Sequence, residues 1–144
     1  MTTHVAPQAK DWYQAKETDV GYSKVIGYLP AAHGLTLAQN DIVQMVKVPI
    51  GAIVTDVLLL TGIFGASVTA DVGDGDASAE DIYISAADVS GASITMMESV
   101  GLAGVPKTYT AADTIDCKLE GANPADNVAM SLIVGYVTGV DITP

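Results

Sequence analysis

The stretch VPIGAIVTDVLLLTGIFGASVTADVGDGD, residues 48–76, carries the reading of the fold. Pro49 and Gly51 make a corner, because proline cannot donate to a central ladder and glycine takes the sharp bend. An apolar, β-branched run follows from Ile53 to Thr61, then a turn at 62–65, then a second such run over 67–72 that ends in an acidic, glycine-rich loop. Runs rich in Val, Ile and Thr bounded by Gly and Pro are strands, and two of them joined by a short glycine-containing turn predict a hairpin. The stretch holds no nucleophile beside a base and no phosphate cradle, so it reads as a building block rather than an enzyme.

Working outward, the same signature recurs along the chain. Strands are predicted over 24–30, 41–48, 82–85, 94–98 and 114–119, with another short one beginning at Tyr109. Residues 31–40 read as a loop or a single helical turn. The run VAMSLIVGYV, residues 128–137, is apolar on both alternating faces, which predicts the longest strand, central and covered on both sides. About eight short strands separated by Gly, Pro and Asx turns, with no long amphipathic helix, predict an all-β fold: an antiparallel β-sandwich, jelly-roll-like. At 144 residues the chain fits one domain with a real core. That domain is expected over 24–144. Residues 1–23 are polar and poor in β-branched types, and are expected as an extended N-terminal arm. Its anchors on a partner would be Trp12 and Tyr13, since such aromatics dominate interface energetics and Trp12 is the only tryptophan.

Composition removes whole classes of function. Seventeen acids stand against six Lys and no Arg, a net charge of −11. Such a chain repels nucleic acid and lacks the guanidinium fork that grips phosphate. No segment reaches the ~18 uninterrupted apolar residues of a membrane helix, and the first residues lack the basic and apolar regions of a secretory signal. Yet 49% of the residues are hydrophobic, so the chain is expected to hide surface against other subunits. A lone cysteine, Cys117, allows no internal disulfide; in its alternating run it reads as a small buried strand residue.

The sharpest candidate for chemistry is the loop bearing Asp71, Asp74 and Asp76, with Glu80 and Asp81 following. Alternate carboxylates on a glycine-rich turn offer oxygens to a hard cation such as calcium. The spacing departs from the EF-hand loop, with Gly where ligands belong, so the plainer expectation is a solvated acidic turn capping a hairpin and no metal. His4 and His33 are isolated from any cysteine or metal motif, and the serines lack a nucleophile elbow. No catalytic residue and no cofactor follow from the chain.

The run VPIGAIVTDVLLLTGIFGASVTADVGDGDASAEDIYI (48–84), with the closing CKLEGANPADNVAMSLIVGYV (117–137), resembles small tailed-phage head decoration, or capsid cement, proteins. The resemblance covers about 48–85 and 114–137, and the residues before Tyr22 match nothing in it. It implies a β-sandwich, made in the host cytoplasm, that sits on the outer surface of the assembled capsid, contacts the major capsid protein and bridges capsomers. It also implies a homo-oligomer, dimer or trimer. Two other readings stay open from sequence: another virion part (tail tube, head completion or fibre base), and a non-catalytic carbohydrate- or calcium-binding β-sandwich module.

Overall fold

The computed structural model of the chain describes residues 1–5, 20–76, 79–97 and 107–138. Within them lie nine strands and one four-residue 3-10 turn, Pro30–His33. The strands are β1 Thr3–Val5, β2 Val20–Tyr28, β3 Ile42–Val48, β4 Ile53–Thr61, β5 Thr69–Gly73, β6 Ile84–Asp88, β7 Ser93–Met96, β8 Asp113–Glu120 and β9 Met130–Val137. They build a five-stranded sheet, β1-β3-β8-β5-β6, packed on a four-stranded sheet, β2-β9-β4-β7. All neighbours pair antiparallel except β1, which runs parallel to β3. From β2 onward the chain changes sheet at every connection but one, β5 to β6, which gives the jelly-roll-like order expected.

The alternation in the sequence sets which face is buried. Val54, Val57 and Leu59 of β4 and Leu132, Val134 and Tyr136 of β9 point inward. They meet Val43, Ala70, Val72, Ile115, Cys117 and Leu119 of the other sheet in one cluster with almost no exposure. The strand expected over 128–137 is central, between β2 and β4. It is one residue shorter than either, and its outward Ile133 and Val137 are only half-buried.

The hairpin expected around 62–65 is not there. β4 pairs with β9 and β7, β5 with β8 and β6, and the two lie in different sheets. The connection is an arch that crosses the ~10 Å between sheets. Phe64, 1% exposed, drops into the core under it. Its backbone is fastened on both sides, Phe64 N–H to the Val89 carbonyl at 3.0 Å and Ala125 N–H to the Phe64 carbonyl at 2.9 Å. A hairpin and an arch present the same local pattern, two alternating strands with their apolar sides toward one core. Only the pairing of distant strands separates them.

At the N-terminus, β1 lies along β3 and β2 begins at Val20, so the strand expected over 24–30 starts four residues earlier. Asp41, 3% exposed, ties β1 down. It accepts Thr2 N–H at 2.8 Å, Ala38 N–H at 2.9 Å and a contact from His4 Nε2 at 3.0 Å. Trp12 and Tyr13 lie outside the described residues.

Candidate functional site

The acidic loop folds down on the outer face of the five-stranded sheet. Alternation along β8 sends Ile115, Cys117 and Leu119 inward, so Asp116, Lys118 and Glu120 face out. Register places them opposite Gly73, Asp71 and Thr69 of β5. Lys118 Nζ then bridges two carboxylates, Glu80 Oε2 of the loop and Glu120 Oε1 of its own strand, each at 2.6 Å. Hydrogen bonds to Glu120 and then Glu80 raise the Lys118 pKa, so it is ionised throughout the ordinary pH range.

Two of the three aspartates of the candidate cation loop, Asp71 and Asp74, have separate partners. Asp71 accepts Ala86 N–H at 2.6 Å; burial raises its pKa against that bond, and the Glu120 and Asp81 charges raise it further. Asp74, 5% exposed, is ion-paired with Lys107 and accepts Asp76 N–H at 3.2 Å. Asp76 is exposed. Among the described residues no group of three or more His, Cys, Asp or Glu is arranged to hold a metal ion. The expected solvated turn is therefore only part of the structure, because Asp71 and Asp74 are buried. The pattern of carboxylates was legible, but Lys107 and Lys118, which neutralise them, come from distant sequence.

Beside this network lies a second buried polar pair. Tyr83 and Tyr109 share a hydroxyl–hydroxyl hydrogen bond of 2.8 Å, and Lys107 Nζ sits 5.0 Å from the Tyr109 ring centroid. Burial pushes Tyr83 up to about 12 and Tyr109 further in the same direction. Asp116 is 4% exposed and its Oδ1 has no hydrogen-bond partner among the described residues. Burial pushes its pKa up to about 7, opposed by the Thr114 hydroxyl and helped by the Asp113 charge. Sequence reading passed over Asp116 as one acid among many. Its place on the outward side of an alternating strand was legible, but the packing of the glycine loop against it was not. Cys117 is fully buried, and burial pushes its thiol up to about 12, so it is no nucleophile at neutral pH.

The outer face of the four-stranded sheet carries an apolar patch at its β7 edge. On the four-stranded sheet Met96 and Ile94 of the edge strand β7, 63% and 71% exposed, stand opposite the half-buried Leu58 and Leu60 of β4. Leu58 in turn stands opposite Ile133 of β9.

Fold and surface together define an antiparallel β-sandwich of jelly-roll-like order, with an ion-paired acidic network on one sheet and an apolar patch on the other. Three solved structures share this fold from end to end. A chain of the capsid of Ralstonia phage GP4 superposes with a TM-score of 0.75 at 16% identity, covering 96% of this chain and 99% of that one. A chain of the cyanophage Pam1 capsid asymmetric unit gives 0.59 at 21%, covering 92% and 97%. A chain of the acidic stable capsid structure of Helicobacter pylori bacteriophage KHP30 gives 0.58 at 20%, covering 86% and 91%. At these identities the likeness is one of fold. No family model and no curated protein matches the chain.

Proposed function

We propose that this protein is a non-enzymatic structural component of a phage virion, a jelly-roll decoration (cement) protein that binds the outer surface of the assembled capsid shell and bridges capsomers. The observation that carries the reading is the end-to-end fold match to a chain of a phage capsid, with almost nothing left over on either side. Two further capsid chains of the same fold support it. The partners in this reading are the major capsid protein and further copies of the chain, as a dimer or trimer.

Such a protein works by burying apolar area across seams between subunits, at about 25 cal/mol per Å² removed from water, less the cost of association. It binds the assembled shell and not the separate subunits, so mass action stabilises the shell, by about 2.7 kcal/mol per site at a hundredfold excess over Kd. Trp12 and Tyr13, between β1 and β2, are the proposed anchors on the shell. The test is direct: shells stripped of the protein should disassemble at lower temperature than native ones. Adding it back should restore the melting temperature, with density for the sandwich on the outer surface in cryo-electron microscopy. Density in the tail, or none on the shell, would overturn the reading.

A further inference from the structure

We propose that Asp116 is a proton-operated latch: its neutral carboxyl lets the Gly73–Asp76 backbone pack on β8, and loss of the proton loosens that packing. The inference stands apart from the virion reading. It starts from geometry: Asp116 is 4% exposed, and its Oδ1 finds no donor among the described residues. Gly75, at φ +77°, lies against Oδ2 so closely that a Cβ there would collide with it. A carboxylate held in this way would be a buried charge with little to neutralise it, whereas a carboxyl is only a buried dipole.

Among the described residues the surroundings give the charge little relief. On β8 itself Asp113 adds a like charge, Thr114 supplies one hydroxyl hydrogen bond, and Lys118 is engaged by Glu80 and Glu120. The register neighbours are uncharged, Gly73 on β5 and Gln44 on β3, and the β3 cation Lys47 stands opposite Thr114, two residues along β8 from Asp116. Asp71, two residues along β5 and opposite Lys118, is another acid. From the loop come Asp74, already paired with Lys107, and the exposed Asp76. Tyr109, whose own pKa the Asp116 charge raises, stays neutral. The carboxyl accordingly titrates near 7 while the loop is packed. When the loop is loosened, water returns it to the ordinary range near 4. Because the packed state holds the proton more tightly, its advantage is complete below about pH 4. It declines as pH rises toward 7 and is level above that.

The experiment is hydrogen exchange by NMR on the full chain between pH 5 and 8. It follows the amides that close the loop, Asp74 N–H on the Ala79 carbonyl and Ala79 N–H on the Asp76 carbonyl. After correction for the intrinsic exchange rate, their protection should fall by roughly tenfold per pH unit from 5 to 7 and then level off. Protection of Gly62 N–H, bonded to the Ala129 carbonyl across the fold, should not change. In Asp116→Asn, which keeps the shape of the neutral acid, the loop amides should stay protected throughout. Flat protection in the native chain, or an equal fall in Asp116→Asn, overturns the latch. The carbon-13 shift of the Asp116 carboxyl in the native chain decides the matter even if that variant does not fold. A midpoint near 7 that moves together with the Gly75 amide supports the latch, and a midpoint near 4 sinks it.

Discussion

His4 Nε2 lies 3.0 Å from the Asp41 carboxylate, so a residue of the short strand β1 is held by the residue that precedes β3. Asp41 also gathers the Thr2 and Ala38 N–H groups. Burial works to raise its pKa, but Ala38, His4 and Thr2 outweigh it, and the carboxyl ends below its ordinary value. A depressed carboxyl contributes stability above the unfolded value, near 4, and loses it as pH falls through the lower folded value. Asp41→Asn should therefore cost about 1–3 kcal/mol at pH 7, the size of charge-assisted hydrogen bonds lost. Urea melts at pH 7 and pH 3 check this: the deficit should shrink at the lower pH. A deficit that is the same at both would mean the carboxylate charge contributes nothing.

The buried tyrosines offer a comparison of paired with unpaired hydroxyls. Tyr136 is fully buried, and its hydroxyl has no partner among the described residues. Removing such a group recovers its desolvation cost, so Tyr136→Phe should leave stability unchanged or raise it by up to ~1 kcal/mol. Tyr83→Phe instead breaks the bond to Tyr109 and strands that hydroxyl, which should cost about 1–3 kcal/mol. The denaturant midpoint should fall in Tyr83→Phe and should not fall in Tyr136→Phe. Equal losses in both would show that Tyr136 is in fact satisfied.

How far the sequence reveals this fold depends on the range of the interaction. Alternation is local, so the core positions of β4, β8 and β9, such as Leu59, Cys117 and Leu132, follow from their own neighbours in the chain. Pairing is not local. The arch at Phe64 reads as a hairpin because nothing within 48–76 records that Val57 pairs with Val134 or Val72 with Cys117. The acidic loop fails in the same way: Asp74 is visible, but its partner Lys107 is 33 positions away. Asp116 is visible as an acid, and only the folded packing of Gly75 against it makes it unusual.

Two glycines with the same backbone twist should respond differently to alanine. Gly51, at φ +79°, has open space where a Cβ would go; Gly121, at φ +83°, has the Ser67 carbonyl there, in the contact that brings the end of β8 against the arch. Gly51→Ala should cost only the left-handed strain, about 1–2 kcal/mol. Gly121→Ala adds a clash with backbone that has no rotamer to give, and should cost at least ~1 kcal/mol more. Thermal melts of the pair settle it, and a Gly121→Ala loss no larger than that of Gly51→Ala would show that the arch shifts freely.

The last expectation bears on the proposed function. Trp12 and Tyr13 sit in the stretch of 14 residues, 6–19, that separates β1 in one sheet from β2 in the other. Among the described residues the two sheets bury their inner faces against each other in one core. If these aromatics are anchors on a capsid shell, their apolar area leaves water only in the bound state, and it must exceed the entropy cost of ordering the segment. Trp12→Ala should then weaken binding to purified shells by at least ~2 kcal/mol, about thirtyfold, the size of an interface hot spot. Melting of the isolated protein should move by no more than ~0.5 kcal/mol, as for a substitution away from any core contact. Both readouts are needed on the same preparation, because a folding defect alone would also lower binding. A variant that melts early yet binds normally once folded would place Trp12 in the domain and remove it from the interface. Normal melting with normal binding would leave the shell contact to other surfaces, and Trp12 would no longer stand as the anchor.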